Sequence, residues 1–590
     1  MSRGDPGRVE ADRIVESAGV RLAVYEHGDP GNETVLLVHG YPDTHSVWDG
    51  VAALLAESFH VVTYDVRGAG QSSAPRAVRD YRLDLLAADL FAVADAVSPD
   101  EPVHVVAHDW GSIQSWEAVT DPGAERRIAS FTSISGPCLD HVGHQVRQRL
   151  SRPTPGNLRK LAGQLLHSWY ILIFQLPLLA PAVWRLWLAR RWARVLEKVE
   201  GVPPTAGHPA PTLRSDAVRG IALYRANMLG RVGRGARERA TGLPVQLIQP
   251  SGDHYVTEAL TEGVERWAPR LWRRTVQAGH WVPLTHPAAI ARMATEFIRH
   301  IGGEPASRTL RRSQVGVRRA RFADHLVVVT GAGSGIGRET ALSFAEAGAE
   351  VVASDIDEGA ARRTAELVGV LGSRGYGYGL DVTDESAVRD FAAEVTARHG
   401  VPDIVVNNAG IGHGGPFLET TTKDWHRVLD VNLWGVIHGC RAFGERMVER
   451  GEGGYIVNVA SMAAYLPTRD LPAYATSKAA VYMLSDCLRG ELDGHAIGVS
   501  TICPGVVSTN ITRTATFAGA GEAEQGRKRD RATGLYARRN FTPRRVATEI
   551  VRAVERGKPV VPVTPEAKVT YLLSRVSPAT LRAAAKLEVA

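Results

Sequence analysis

An aspartate between small residues, Ala107-His108-Asp109-Trp110-Gly111, is the first stretch of this chain suited to chemistry. The pattern small–x–nucleophile–x–small fits a sharp strand-to-helix turn that lifts its central side chain clear of a sheet. A carboxylate there is already ionised and needs no base to attack. It suits displacement at an sp³ carbon, with an alkyl ester as the intermediate. Downstream, the segment VQLIQPSGD ends at Asp253, and His280 follows in Gln277-Ala278-Gly279-His280-Trp281. A histidine oriented by an acid can activate water against such an ester. Far along the chain, Tyr474 and Lys478 lie four residues apart in Tyr474-Ala475-Thr476-Ser477-Lys478. That spacing places both on one face of a helix. The lysine charge favours the phenolate, so Tyr474 can exchange a proton near neutral pH.

Both sets need sheets to hold them. Short apolar runs, VLLVHG ending at Gly40, VVTYD ending at Asp65 and VHVVAHD ending at Asp109, alternate with helical segments. This argues for a parallel α/β sheet, whose sites lie at the carboxyl ends of its strands. A second such sheet begins past the midpoint, at LVVVTGAGSGIG over residues 326–337. Val327-Val328-Val329-Thr330 runs into a glycine turn that opens a helix, the first βα unit of a dinucleotide-binding domain. Backbone N–H groups of the turn can approach a pyrophosphate at the positive end of that helix. Such a unit opens its domain, so the residues before it form another. The run VVASD ends in Asp355, placed to accept from both ribose hydroxyls and to repel a 2′-phosphate, which favours NAD over NADP. The expected division is a first domain over 1–302 with a cap at about 140–235, a basic linker over 303–322, and a second domain over 323–590.

The length of 590 residues suits several domains or two large ones. Charged residues make up 22% of the chain, too many for a membrane-spanning design. The N-terminus is charged and has no apolar core of a secretory signal. Cys138, Cys440, Cys487 and Cys503 lie far apart with no zinc spacing, which reads as reduced thiols in a cytoplasmic protein without a metal site. A net charge of +6 calls for no nucleic acid. Much of the excess lies in the arginine run at 308–321, which is either a solvated linker or a patch for anionic lipids. Residues 165–196 are rich in leucine and carry Trp169, Trp184, Trp187 and Trp192. Pro177, Pro181 and several arginines interrupt them, so they read as a cap over an apolar tunnel or as a membrane-contacting surface. Either suits a long lipophilic substrate. Residues 511–537 read as a mobile substrate lid. The basic amphipathic tail, 569–587, reads as a packed helix or a membrane anchor.

The first half resembles the epoxide hydrolases of the α/β-hydrolase superfamily over nearly all of residues 10–300, through His39-Gly40-Tyr41-Pro42, His108-Asp109-Trp110-Gly111 and Gly279-His280-Trp281. The resemblance implies an α/β-hydrolase fold with a helical cap. It implies attack by Asp109 on an epoxide carbon while two cap tyrosines, matched by Tyr170 and Tyr224, stabilise the departing oxygen. His280, oriented by Asp253, then directs water to the ester, with the oxyanion held by the N–H groups of Tyr41 and Trp110. The alternatives are that the tyrosines are packed aromatics, or that the module is a haloalkane dehalogenase. The latter family carries an Asn or Trp halide clamp that HGYP does not offer after its glycine.

The second half, about residues 323–565, looks like the short-chain dehydrogenase/reductase family. It has Thr330-Gly331-x-x-x-Gly335-x-Gly337, Asp381 in LDVTD, Asn407-Asn408-Ala409-Gly410 and the Tyr474–Lys478 pair. The resemblance implies a Rossmann-type fold in which Ser461 hydrogen-bonds the substrate oxygen and Asn432 holds a water-linked proton path to the lysine. Cofactor contacts are implied for Thr330, Gly331, Ser334, Gly335, Ile336, Gly337, Asp355, Asp381, Val382, Asn408, Ala409, Gly410, Tyr474, Lys478, Pro504, Gly505, Val507 and Thr509. A non-catalytic nucleotide-binding scaffold is the alternative, although such domains usually lose the tyrosine or lysine. Together these readings describe a bifunctional enzyme for lipophilic epoxides and alcohols or ketones. It would form oligomers through the dehydrogenase module and make peripheral membrane contact if the apolar cap or the basic patches serve that purpose. Epoxide opening creates a secondary alcohol, which the second site would oxidise.

Overall fold

The computed structural model describes residues 10–205, 207–233, 237–539 and 541–584. The N-terminal residues on which the absence of a signal was read, and the end of the tail, lie outside them. The chain divides into two compact units, one ending at Val317 and one beginning at Arg318.

The first unit is built on strands β1 (Arg13–Ser17), β2 (Val20–His27), β3 (Thr34–Val38), β4 (His60–Tyr64), β5 (Val103–His108), β6 (Ile128–Ile134), β7 (Val245–Pro250) and β8 (Leu271–Val276). They form one sheet in the order β1-β2-β4-β3-β5-β6-β7-β8. From β4 to β8 every neighbouring pair is parallel, while β1 and β2 form an antiparallel edge. Strands β3, β4 and β5 are buried at every residue, as continuous apolar strands covered on both faces must be. Alternate residues go to opposite cores: Val35 and Leu37 to one, Leu36 and Val38 to the other. Between β6 and β7 the chain leaves the sheet to build a cap of helices, from Leu139–Ser151 to Leu213–Gly233.

The second unit holds β9 (Leu326–Thr330), β10 (Glu350–Asp355), β11 (Gly375–Gly379), β12 (Ile404–Asn407), β13 (His413–Gly414), β14 (Gly454–Val459), β15 (Ile497–Cys503), β16 (Thr516–Phe517) and β17 (Val560–Pro562). The main sheet runs β11-β10-β9-β12-β14-β15-β17, parallel throughout, and β13 pairs with β16 outside it. The strand order reverses between β9 and β12, the crevice where doubly wound sheets bind nucleotides.

Two expectations change on folding. The arginine run is divided between the units instead of spanning them as a solvated linker. Leu310, in the helix Arg308–Ser313, is fully buried against Trp272 and Phe297, and Val315 N–H donates to Leu271 O at 2.8 Å. From Arg318 onward the run belongs to the second unit, where Arg321 pairs with Glu555 at 3.0 Å and Phe322 is buried. Apolar anchors at Leu310 and Phe322 hold polar stretches that composition alone reads as solvated. Residues 511–537 form a short helix (Ile511–Thr514), strand β16 and the start of the helix Glu522–Arg539. Gln525 clamps Phe517 through both its amide groups, to the N–H at 2.9 Å and the carbonyl at 2.7 Å, a contact that periodicity does not register. The tail helix Pro565–Val576 is held by Tyr465, whose hydroxyl donates to Ala567 O at 2.9 Å.

Candidate active sites

In the first unit β5 leads directly into Asp109, whose φ of +50° is a strained conformation for a residue with a side chain. Close packing makes the turn possible. A Cβ at Gly111 would run into the Val38 carbonyl, and one at Gly136 into the Asp109 carbonyl. A Cβ at Gly40 would meet the Asp109 carboxylate itself. The helix Trp110–Val119 starts at the next residue, directing its positive end at the carboxylate. Tyr41 N–H donates to Asp109 Oδ2 at 2.8 Å, and the Trp110 N–H also stabilises the charged form. Asp109 Oδ1 lies 3.7 Å from His280 Nε2. Behind the ring, His280 Nδ1 and Asp253 Oδ2 are 3.0 Å apart, and Asp253 Oδ1 accepts from the N–H groups of Tyr255 and Val256 at 2.8 and 2.9 Å. The three residues predicted as nucleophile, base and acid therefore stand in one line, with a hydrogen bond from His280 to Asp253 and an ion-pair distance from His280 to Asp109.

Burial raises the Asp109 carboxyl to about 6, against the opposing pull of His280 and the two N–H groups. For His280, burial works downward, but the charge and hydrogen bond of Asp253, with Asp109 and Glu200 behind them, raise it to about 9. Asp253 is also opposed by burial, yet His280 brings it down to about 2. His108 is pushed by burial down to about 3 and accordingly stands neutral, its Nε2 2.8 Å from the His280 carbonyl oxygen.

The cap supplies both predicted tyrosines. Tyr224 is carried by the helix Leu213–Gly233, which Asn227 ties to the core by donating to Tyr81 O at 2.9 Å and accepting from Leu83 N–H at 3.0 Å. Tyr170 comes from the short helix Trp169–Phe174, its ring 6.0 Å from that of Tyr224. Burial, followed by neighbouring phenols and the Asp109 charge, holds both phenols above their ordinary range, so both keep their protons. Tyr41, Trp110 and Phe174 pack edge-on to Tyr224 at 5.4, 4.8 and 4.8 Å.

Three features of this site carried no signal that the motifs could supply. Glu200, at the end of a π-helical turn of the cap, accepts from His280 N–H at 3.0 Å, with its carboxylate close against Gly279. Tyr255 packs against the His280 ring at 4.9 Å. Asp43, next after His39-Gly40-Tyr41-Pro42, accepts from Trp281 Nε1 at 2.9 Å and stands 2.9 Å from His208 Nε2 in the cap. The run 65–72 is structural: Asp65 accepts from Gln71 N–H at 2.8 Å, and Arg67 pairs with Asp89 at 2.6 Å, both fully buried.

In the second unit a cleft of about 480 Å³ opens at the carboxyl ends of the strands. Its floor is the turn after β9. Gly331 and Gly335 have φ of +63° and +57°, and a Cβ at Gly337 would strike the Gly331 carbonyl. Asp355, at the end of β10, accepts from Gly333 N–H at 2.8 Å. Asn408 braces the turn by donating to Thr330 O and Gly331 O at 3.0 and 3.1 Å, and Thr330 Oγ1 accepts from the N–H groups of Asn408 and Ala409. Ser334, Ile336, Asp381, Val382, Gly410, Pro504, Gly505, Val507 and Thr509 line the same cleft, as do Ser461, Tyr474 and Lys478. Thr330 and Gly337 do not line it and act from beneath the turn. A glycine-floored cradle at a helix start, with an acid at the second strand, fits a dinucleotide.

Lys478 and Tyr474 share one face of the helix Pro472–Leu492, with Lys478 Nζ 6.0 Å from the phenol ring centre. Nζ donates to Val459 O at 2.9 Å, and burial brings it down to about 8. Asn432 is fully buried in a π-helical turn, Asp430–Trp434. It accepts from Ile411 N–H at 2.8 Å and donates to Ile411 O and Ser477 Oγ. Ser461 follows β14 and its hydroxyl donates to Pro504 O at 3.4 Å.

Comparison with known proteins assigns each unit separately. The family profile for the alpha/beta hydrolase fold matches residues 33–287, and that for short chain dehydrogenase matches residues 325–518. The chain is 49% identical to "Probable oxidoreductase EphD" of Mycobacterium tuberculosis over 591 aligned positions, covering 99% of this chain and 100% of that one. The second half alone is 39% identical to D-threitol dehydrogenase of Mycolicibacterium smegmatis over 204 residues, 34% of this chain and 78% of that enzyme. Among solved structures, a short-chain dehydrogenase/reductase from Burkholderia phymatum in complex with NAD aligns at 30% identity, covering 45% of this chain and 97% of that one, with a TM-score of 0.41. Half the residues identical along the full length of both chains, and both halves matched in the same order, make this protein a member of the EphD family, an α/β-hydrolase-fold domain fused to a short-chain dehydrogenase.

Proposed function

We propose that the first unit hydrolyses epoxides to vicinal diols and that the second interconverts an alcohol and a ketone with NAD. The observation that carries the first reading is a carboxylate on a strained elbow, with a His–Asp pair on one side and two protonated cap phenols on the other. Asp109 Oδ2 is occupied by the Tyr41 N–H, which leaves Oδ1 to attack. Oδ1 forms a bond to an epoxide carbon as the ring C–O bond breaks, and the released oxygen takes a hydrogen bond, then a proton, from Tyr170 or Tyr224. His280 then removes a proton from water, whose oxygen adds to the ester carbon. The negative charge collects on Oδ2 between the N–H groups of Tyr41 and Trp110, donors of a kind worth about 3–4 kcal/mol when removed. Collapse expels the second alkoxide, which takes the proton of the carboxylic acid it leaves, so the diol departs and Asp109 is a carboxylate again; the proton on His280 returns through water to the phenolate, restoring both groups. Alkylation also removes the Asp109 charge that helps raise His280, so more of the imidazole is neutral and free to accept a proton when one must be taken from water.

In the second unit the residues around the cleft divide the work. Gly331, Ser334, Gly335 and Ile336 would hold the pyrophosphate side, with Thr330 bracing the turn from beneath, Asp355 the adenosine ribose, and Asp381, Val382, Asn408, Ala409 and Gly410 the adenine and central walls. Pro504, Gly505, Val507 and Thr509 would close on the nicotinamide. The bound dinucleotide supplies the two-electron acceptor. Tyr474 takes the alcohol proton, Ser461 holds the same oxygen, and the Lys478 charge keeps the phenolate within reach of neutral pH. Asn432 keeps the helix turn shaped for a water beside Lys478. A lone carboxylate at Asp355 favours NAD over NADP. The cap's aromatic lining suits lipophilic substrates, and the dehydrogenase unit suits a homo-oligomer.

Intact-protein mass spectrometry with a panel of lipid epoxides tests the first reading. His280→Gln should accumulate a covalent adduct of the substrate's mass, and Asp109→Ala should show neither adduct nor turnover. Loss of turnover in His280→Gln with no adduct would exclude the ester. In the same samples Tyr474→Phe should bind NAD yet form no NADH from any alcohol that wild type oxidises.

A further inference from the structure

The cap is apolar on the outside as well as the inside. Its helix Trp169–Phe174 turns Tyr170 and Phe174 toward the first unit's site, while Trp169 and Leu172 on the same helix face solvent. Nearby in sequence, Leu166, Leu178, Leu186 and Trp187 are also exposed, Leu178 at 83% and Leu186 at 72%. Exposed leucines and tryptophans in this number, all between residues 166 and 187, mark a contact surface. Its charge says with what. Residues 152–196 contain no aspartate or glutamate. Arg185, Arg190, Arg191 and Arg194 are exposed among the leucines and tryptophans, and among the described residues none has an acidic partner. Arg191 lies over the Trp187 ring at 5.0 Å, an arrangement that keeps both at one level of the surface. A second copy of this chain would bring four arginines against four arginines across an isologous contact. An anionic lipid surface takes leucine and tryptophan into its interfacial layer and arginine onto its phosphates.

We propose that the outer face of the cap docks on an anionic bilayer, which places the helix bearing Tyr170 between the lipid and the catalytic carboxylate. Docking depends only on this face. Delivery of a lipid epoxide through the cap rests on the hydrolase reading above. Among the described residues no helix is long and apolar enough to cross a membrane, so the contact is peripheral.

Flotation of the full chain with vesicles of phosphatidylcholine alone, or of phosphatidylcholine with phosphatidylglycerol, tests the docking. Wild type should float with the phosphatidylglycerol vesicles and largely remain unbound with the neutral ones. Combined Arg185→Gln, Arg190→Gln, Arg191→Gln and Arg194→Gln should lower flotation at least tenfold, roughly the loss expected for several phosphate-facing charges. Combined Leu178→Asn, Leu186→Asn and Trp187→Asn should do the same, with the melting temperature unchanged. Wild type that stays unbound on both vesicle types overturns the proposal, as do variants that float like wild type. So does a leucine–tryptophan variant that alters the sedimentation coefficient in vesicle-free buffer and not flotation, since the face would then join copies of the chain. If flotation behaves as expected while no epoxide is ever opened, docking stands and the hydrolase reading falls.

Discussion

Asp109 and His280 set each other's charge. Burial disfavours the carboxylate and raises it to about 6, while the carboxylates around His280 hold the imidazolium up to about 9. In the proposed mechanism only ionised Asp109 can attack, so the alkylation step should be fully active above about pH 7 and be lost as pH falls through 6. The alkylation rate constant, followed by stopped-flow fluorescence of the neighbouring Trp110, should drop about tenfold per pH unit below that point. A rate unchanged down to about pH 4 would mean that burial does not govern this carboxyl. At this scale the motifs were informative. Asp109, Asp253, His280 and Ser461 follow strands, and Tyr474 and Lys478 share a helix, as their motifs predict, because strand ends and helix spacing are local properties. Glu200 was not legible. It sits in a polar–apolar cap turn with no spacing to the histidine, and only folding brings its carboxylate to the His280 N–H.

Each element around the sites is shaped by what presses on it. The glycine turn after β9 is tight enough that a methyl group at Gly337 would collide with the Gly331 carbonyl beneath it. Gly337→Ala should destabilise the second unit by about 1–3 kcal/mol, the usual effect of overfilling a packed site. It should also weaken NAD binding by isothermal titration calorimetry, while leaving epoxide turnover intact. Normal NAD affinity in that variant would show that the turn can shift without disturbing the cradle. The helix Glu522–Arg539 makes the complementary point. Its sequence is charged and poorly periodic, and it is ordered by contacts that composition cannot register, among them Arg529 Nε donating to Ala515 O at 2.8 Å.

Two sheets, each with its own cores on both faces, make two cooperative units within one chain. Calorimetry should therefore show two unfolding transitions. NAD at a hundredfold excess over its Kd should stabilise one of them by about 2.7 kcal/mol, a shift of roughly 5 °C or more, and leave the other in place. A single transition moved as a whole by NAD would mean the units unfold together. The order of chemistries suggests a relay, in which the diol released by the first site offers a secondary alcohol to the second. Wild type given an accepted epoxide and NAD should form NADH after a lag, Asp109→Ala should form none, and added diol should restore it. A diol that never yields NADH would leave two separate activities on one chain.

The sequence by itself determined the two largely parallel sheets, their order and the strand ends where the motif residues fall. Apolar runs, glycine turns and nucleophile spacing are properties of consecutive residues, and steric rules act on them directly. Tertiary structure alone decided the rest. It brought Tyr170 and Tyr224 together from separate cap helices, their rings 6.0 Å apart. It divided the arginine run between two units by burying Leu310 in one and Phe322 in the other. It also turned half of an apolar cap outward. Those outcomes depend on which surfaces meet across long stretches of chain, and no local pattern of residues encodes that meeting.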